Sequence, residues 1–152
     1  AQAENGHATA LLASGRVRQA RALYLAALAR APGDGRLALN AGLASLRAGD
    51  RRGAVALCRE ATLRLPGDAD AHGCLGAALG SLGPSFALEA ETALRRALAL
   101  EPVAPDRSYN LAVLLVAMGR SDEGRALLEV TLARDPAHAG ARAALARVTA
   151  RP

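Results

Sequence analysis

The sequence predicts an all-α solenoid of about four helix-turn-helix units closed by a C-terminal capping helix, and three observations carry that prediction. Pro32, Pro66, Pro102 and Pro136 recur at intervals of 34, 36 and 34 residues, a period that marks stacked supersecondary units rather than one irregular domain. Columns of small residues keep the same register along the chain. The composition is that of helices, with 39 Ala and 26 Leu in 152 residues and no Ile, Lys or Trp.

The elements follow in order from those columns. The first unit, residues 1–34, carries Ala8, Gly15, Ala20 and Ala27 ahead of Pro32. The second, 35–68, repeats them as Gly42, Gly49, Ala54 and Ala61 ahead of Pro66. Its first helix reads from Leu37 to Leu46. Gly49 then supplies the left-handed residue that ends a helix, and Asp50 is placed to cap the next one. The third unit, 69–104, carries Gly76, Gly83, Ala90 and Ala97 ahead of Pro102. Here the step from the turn glycine to the next small residue is seven residues instead of five, which locates a two-residue insertion within Pro84-Ser85-Phe86. The fourth, 105–138, has Ala112, Gly119, Gly124 and Thr131 ahead of Pro136, and a last helix over about 139–150 carries Ala146 as a cap. Small residues in register let paired helices approach closely, and stacking the pairs buries a core that no single pair could.

These residues resemble the tetratricopeptide repeat (TPR) family. The resemblance spans nearly the whole chain and includes a bulky column at Tyr24, Cys58, Leu94 and Leu128. The family's early tryptophan is replaced by Glu4, Ala38, His72 and Ser108, and its first-helix tyrosine by Leu11, Ser45, Leu79 and Leu115. The resemblance implies a right-handed superhelix whose first helices line a concave inner surface, and a non-catalytic role in holding other proteins. It also implies where asparagines grip a ligand backbone, two residues before the first small column, which here puts Asn40 and Asn110 in that place. The clamp by which some members bind a C-terminal carboxylate is not matched: Asn5, Thr9, Asn40, Asp70 and Cys74 hold its positions, and only Asn40 fits.

Other classes of function find little support. The net charge of +5 rests on 19 Arg, but Ala, Gly and Arg richness is also what a GC-rich genome, as in many bacteria, imposes. Direct nucleic-acid binding needs aromatics for base stacking, and these are 2% of the chain. No apolar run reaches the length of a bilayer span. Cys58 and Cys74 are expected to be free thiols, and with His7, His72 and His138 they form no metal-ligand spacing, so no metal, no other cofactor and no catalytic residue is expected. The chain opens Ala1-Gln2-Ala3-Glu4 without an initiator Met, which reads as a trimmed chain or a mature form and leaves cytoplasm and periplasm both open. Glu60 with Arg64, and Glu91 with Arg95, have the spacing of surface ion pairs, and Phe86 is expected to pack the widened turn onto the array.

Helical phase places Gln2, Asn5, Thr9 and Leu12 on the concave face of the first unit, and Arg36, Leu39, Asn40, Leu43 and Arg47 on that of the second. The third offers Asp70, Gly73, Cys74, Ala77 and Gly80, nearly bare of bulk, and the fourth Asp106, Tyr109, Asn110, Val113 and Val116. The expected site is an apolar dent in the middle of the groove that takes a peptide or partner helix. An acidic group would meet Arg36 and Arg47, and self-association stays open. The alternatives are the recruiting arm of a larger bacterial enzyme, such as a glycosyltransferase, or an adaptor in envelope, secretion or pilus assembly.

Overall fold

The computed structural model describes residues 2–150, with side chains from residue 5 onward; the positions assigned to the side chains of Gln2 and Glu4 lie outside the described residues. Nine α-helices and no strand occur among them: α1 (Gln2–Ala13), α2 (Val17–Arg30), α3 (Gly35–Arg47), α4 (Arg51–Arg64), α5 (Ala69–Leu82), α6 (Ala87–Leu100), α7 (Pro105–Ala117), α8 (Ser121–Arg134) and α9 (Ala139–Thr149). Each even-numbered helix folds back on the odd-numbered helix before it and also packs on the one after it, giving an all-α solenoid.

Local chemistry sets the helix ends. The turn residues Gly15, Gly49 and Gly119 have φ of 77°, 83° and 81°, the left-handed region that a side chain would strain. Asp34 accepts from the Arg36 and Leu37 amides, Asp50 from Gly53 and Asp68 from Ala71, at 2.9–3.1 Å. His138 does the same for α9, its Nδ1 accepting from the Ala141 amide at 3.0 Å. Pro84–Phe86 form a single 3-10 turn between α5 and α6.

The small columns lie where helices cross. Ala20, Ala54 and Ala90 are fully buried, as are Ala8, Ala38, Ala61 and Ala112. A Cβ on Gly76 would stand 2.5 Å from Leu94 Cγ and 3.1 Å from the Ala90 carbonyl oxygen, so only glycine permits that approach. Ala146 alone of its column is exposed, on α9, the last of the described helices. Two of the places of the family aromatics are filled by polar pairs. Ser45 is buried and accepts from Arg21 Nε at 2.9 Å; Ser108 is buried and shares a 2.9 Å hydrogen bond with Thr131 Oγ1.

Three expectations are corrected. Cys58 and Cys74 are not free: they form a disulfide between α4 and α5, with Cα atoms 5.6 Å apart. Sixteen residues of sequence separate them, but the turn between the helices brings the two columns face to face beside Gly42. Glu91 does pair with Arg95, but its carboxylate is buried rather than on the surface. It is 7% exposed and held by Arg95 from its own helix and by Arg120 from the turn before α8, at 2.6–2.8 Å. Phe86 stands 39% exposed rather than packed down, on a 3-10 turn that has no buried residue. The pair Glu60–Arg64 does form on the surface, at 2.7 Å.

Candidate functional site

The odd-numbered helices also touch one another, α3 with α5, α5 with α7 and α7 with α9. Helices on the inner side of a curved stack crowd together in this way, so these four line the inner surface. Between α5 and α7 that surface sinks into a depression of about 310 Å³, lined by Gly76, Ala77, Gly80, Tyr109, Asn110 and Val113 among others. The small side chains of α5 create it, since Ala77 and Gly80 leave space that the longer residues of α7 do not fill.

The structure brings part of the expected set together. Ala77 is exposed, Val113 is 42% exposed, and Asn110 is half-buried with no hydrogen bond from its side chain to another described residue. Leu43 also reaches the surface, on α3, at 36% exposure. Asn40 is half-buried, but its Nδ2 donates to Asn5 Oδ1 at 3.0 Å, so one of its two amide functions bridges α3 to α1. Gly73 is buried under Arg107, whose Nη1 would stand 3.4 Å from a Cβ there.

Other members lie elsewhere. Leu39 and Cys74 are each 3% exposed and belong to the core with Cys58, Ala78 and Leu79. Arg36 is exposed, but its Nη1 is held by Asp68 at 2.8 Å. Arg47 lines a separate depression with Arg16, Val17 and Arg18 at the turns that end α1 and α3. Tyr109 is a structural anchor as well as a wall: its ring lies 4.6 Å from that of His138, and a Cβ on Gly140 of α9 would meet its Oη at 2.7 Å.

Two features escaped the reading of the sequence. Arg107 crosses from α7 to α5, its Nη2 within 2.7 Å of both Asp70 and Glu101 with only 13% of the side chain exposed. Burial alone would lower the pKa of its guanidinium, but hydrogen bonds from Arg107 to Asp70 and Glu101 outweigh it and raise the value. The available signal was position: Asp70 and Arg107 are separated by one 36-residue step plus one. The second is a larger depression of about 710 Å³ between α7, α8 and α9, lined by Val113, Val116, Arg125, Ala144, Arg147 and Val148 among others. Its walls depend on the docking angle of α9, which no column of the sequence encodes.

No helix among the described residues is long and apolar enough to cross a membrane, and no group of His, Cys, Asp and Glu among them could hold a metal ion. The arrangement is an inner face of grooves between helices, the architecture of an α-solenoid. Two models of the tetratricopeptide repeat match the sequence, one over residues 5–72 and one over 87–148. This chain belongs to the tetratricopeptide repeat family.

Solved structures agree on the fold. The chain is similar to TTC0263, a thermophilic TPR protein of Thermus thermophilus, at 25% identity and a TM-score of 0.82 over 97% of this chain and 80% of that one. It is similar to MamA of Desulfovibrio magneticus RS-1 at 17% identity and a TM-score of 0.82, covering 99% and 84%. It is also similar to YrrB, described as a TPR protein with an unusual peptide-binding site, at 21% identity and a TM-score of 0.73, covering 97% and 75%. No curated protein sequence matches the chain.

Proposed function

We propose that this protein is a non-catalytic scaffold that holds a peptide or partner helix along its inner surface, over one array of repeats at about 1–34, 35–68, 69–104 and 105–138 with a cap at about 139–150. The depression between α5 and α7 carries the reading. It is open, walled by Ala77, Val113 and Tyr109, and has the Asn110 amide on its lining without a partner. An apolar side chain of a ligand gains about 25 cal/mol for each Å² removed from water there, and the amide can donate to and accept from one peptide unit. The fold shared with YrrB supports the same class of ligand.

Ala77→Glu combined with Val113→Glu tests it, because both positions are exposed and both line the depression. Proteins retained by the wild type from its source cell, identified by mass spectrometry, should be lost by this variant while helicity is kept. Equal retention by the folded variant would refute the groove as the site.

Among the alternatives, the Cys58–Cys74 disulfide favours an adaptor in an oxidising compartment, such as one that serves envelope assembly, over a cytosolic recruiting arm. Alkylation of intact cells before lysis decides this: unmodified, bridged cysteines support it and two alkylated thiols refute it.

A further inference from the structure

The positive charge of this chain is not spread along the solenoid. Residues 1–52 carry eight Arg against three acidic groups, whereas residues 53–152 carry eleven Arg against eleven acidic groups, so the whole net charge of +5 sits in the first third. In the later helices most arginines are spent on carboxylates, as in Arg59–Glu89, Arg64–Glu60, Arg95–Glu91, Arg107–Asp70 and Arg120–Glu123. At the edge formed by the first two turns they are not. Arg16 and Arg18 at the start of α2, Arg47 at the end of α3, and Arg51 and Arg52 at the start of α4 are all exposed, and none is in an ion pair with a described residue. The one carboxylate there, Asp50, is already taken by Arg21 and by the Gly53 amide. Arg16, Arg18 and Arg47 meet around one open depression of about 500 Å³.

We infer that this edge is a second docking surface, distinct from the inner depression, for an acidic segment of a partner protein. Five unpaired guanidiniums repel one another unless a polyanion lies across them, and each can take a carboxylate through paired N–H donors. Neighbouring helices stand about 10 Å apart, and a chain in the polyproline II conformation advances about 3.1 Å per residue with three residues per turn, so carboxylates three residues apart share one face and reach successive turns. The patch favours a peptide over a nucleic acid because it holds no aromatic side chain on which a base could stack: Tyr24 is buried, and Phe86 and Tyr109 belong to later units. It also lacks the cluster of exposed apolar residues that would anchor it in a lipid surface.

The test is fluorescence anisotropy of a labelled peptide of about twelve residues with Glu at every third position among Gly and Ser, titrated with the full chain at about 50 mM salt. The peptide should bind, its Gln counterpart should not, and Arg16→Gln with Arg18→Gln and Arg47→Gln should weaken binding at least about tenfold. A control that removes the same charge elsewhere, Arg96→Gln with Arg142→Gln and Arg147→Gln, should weaken it less than about threefold. Equal losses in the two variants, no binding of the Glu peptide, or tighter binding of a single-stranded oligonucleotide of equal charge or of vesicles containing phosphatidylserine would each overturn the proposal. The Ala77→Glu, Val113→Glu variant leaves these arginines in place, so failure of the groove reading is read separately.

Discussion

Glu91 is held below the usual carboxylate range: burial on its own would raise its pKa, and the hydrogen bonds and charges of Arg95 and Arg120 overcome that. A carboxyl whose folded pKa is depressed contributes stability that is present above its unfolded value, near 4.5, and is lost as pH falls through the folded value. Urea midpoints of the wild type should therefore drop below about pH 4.5 more steeply than those of Glu91→Gln. Parallel curves would assign the acid sensitivity to other carboxylates, such as Glu123, which Arg120 also lowers. The small columns make a harsher demand at the same scale. Ala54 is fully buried between helices, and Ala54→Glu would force excess volume and an unpaired charge into that contact, at a cost above about 3 kcal/mol. Wild-type helicity and melting temperature in that variant would show that the register of α3 against α4 is wrong.

At the scale of elements, the disulfide ties α4 to α5, two helices that belong to successive pairs. Closing a loop of about fifteen residues removes unfolded-state freedom worth about 3 kcal/mol in the chain-entropy account. Reduction should lower the urea midpoint accordingly, and an unchanged midpoint would mean that packing alone holds the two helices. The turn of Pro84–Phe86 makes the opposite case. Phe86 is 39% exposed and the turn has no buried residue, so deleting Pro84 and Ser85 should shift stability by about 1 kcal/mol or less. Loss of the α5–α6 pairing on that deletion, seen by hydrogen exchange, would show that the turn supports the packing.

Across the whole molecule, what could be read from the sequence is what repeats. Proline spacing, turn glycines and small columns recur every 34 to 36 residues and each has one physical meaning, so helix order, turn positions and the insertion after Gly83 were all legible. Single residues facing other units were not. Leu39 looked like a groove residue because α3 has the right phase there, yet α5 covers it. Arg36 looked free until Asp68, one turn of the solenoid away, was placed beside it. Cys58 and Cys74 lie in different columns, and only the stacking of α5 on α4 shows that they meet. Contacts between units depend on superhelical geometry, which period alone does not specify.

The central claim, that the inner surface between α5 and α7 holds a partner, is tested most directly by photocrosslinking from within it. A benzophenone amino acid in place of Ala77, and in a second protein in place of the outward Arg96, would be irradiated in the source cell and the adducts identified by mass spectrometry. Adducts to a defined segment of another protein from position 77, absent from position 96, are the expected result. Adducts only to a second copy of this chain, or equal yields from both positions, would contradict it.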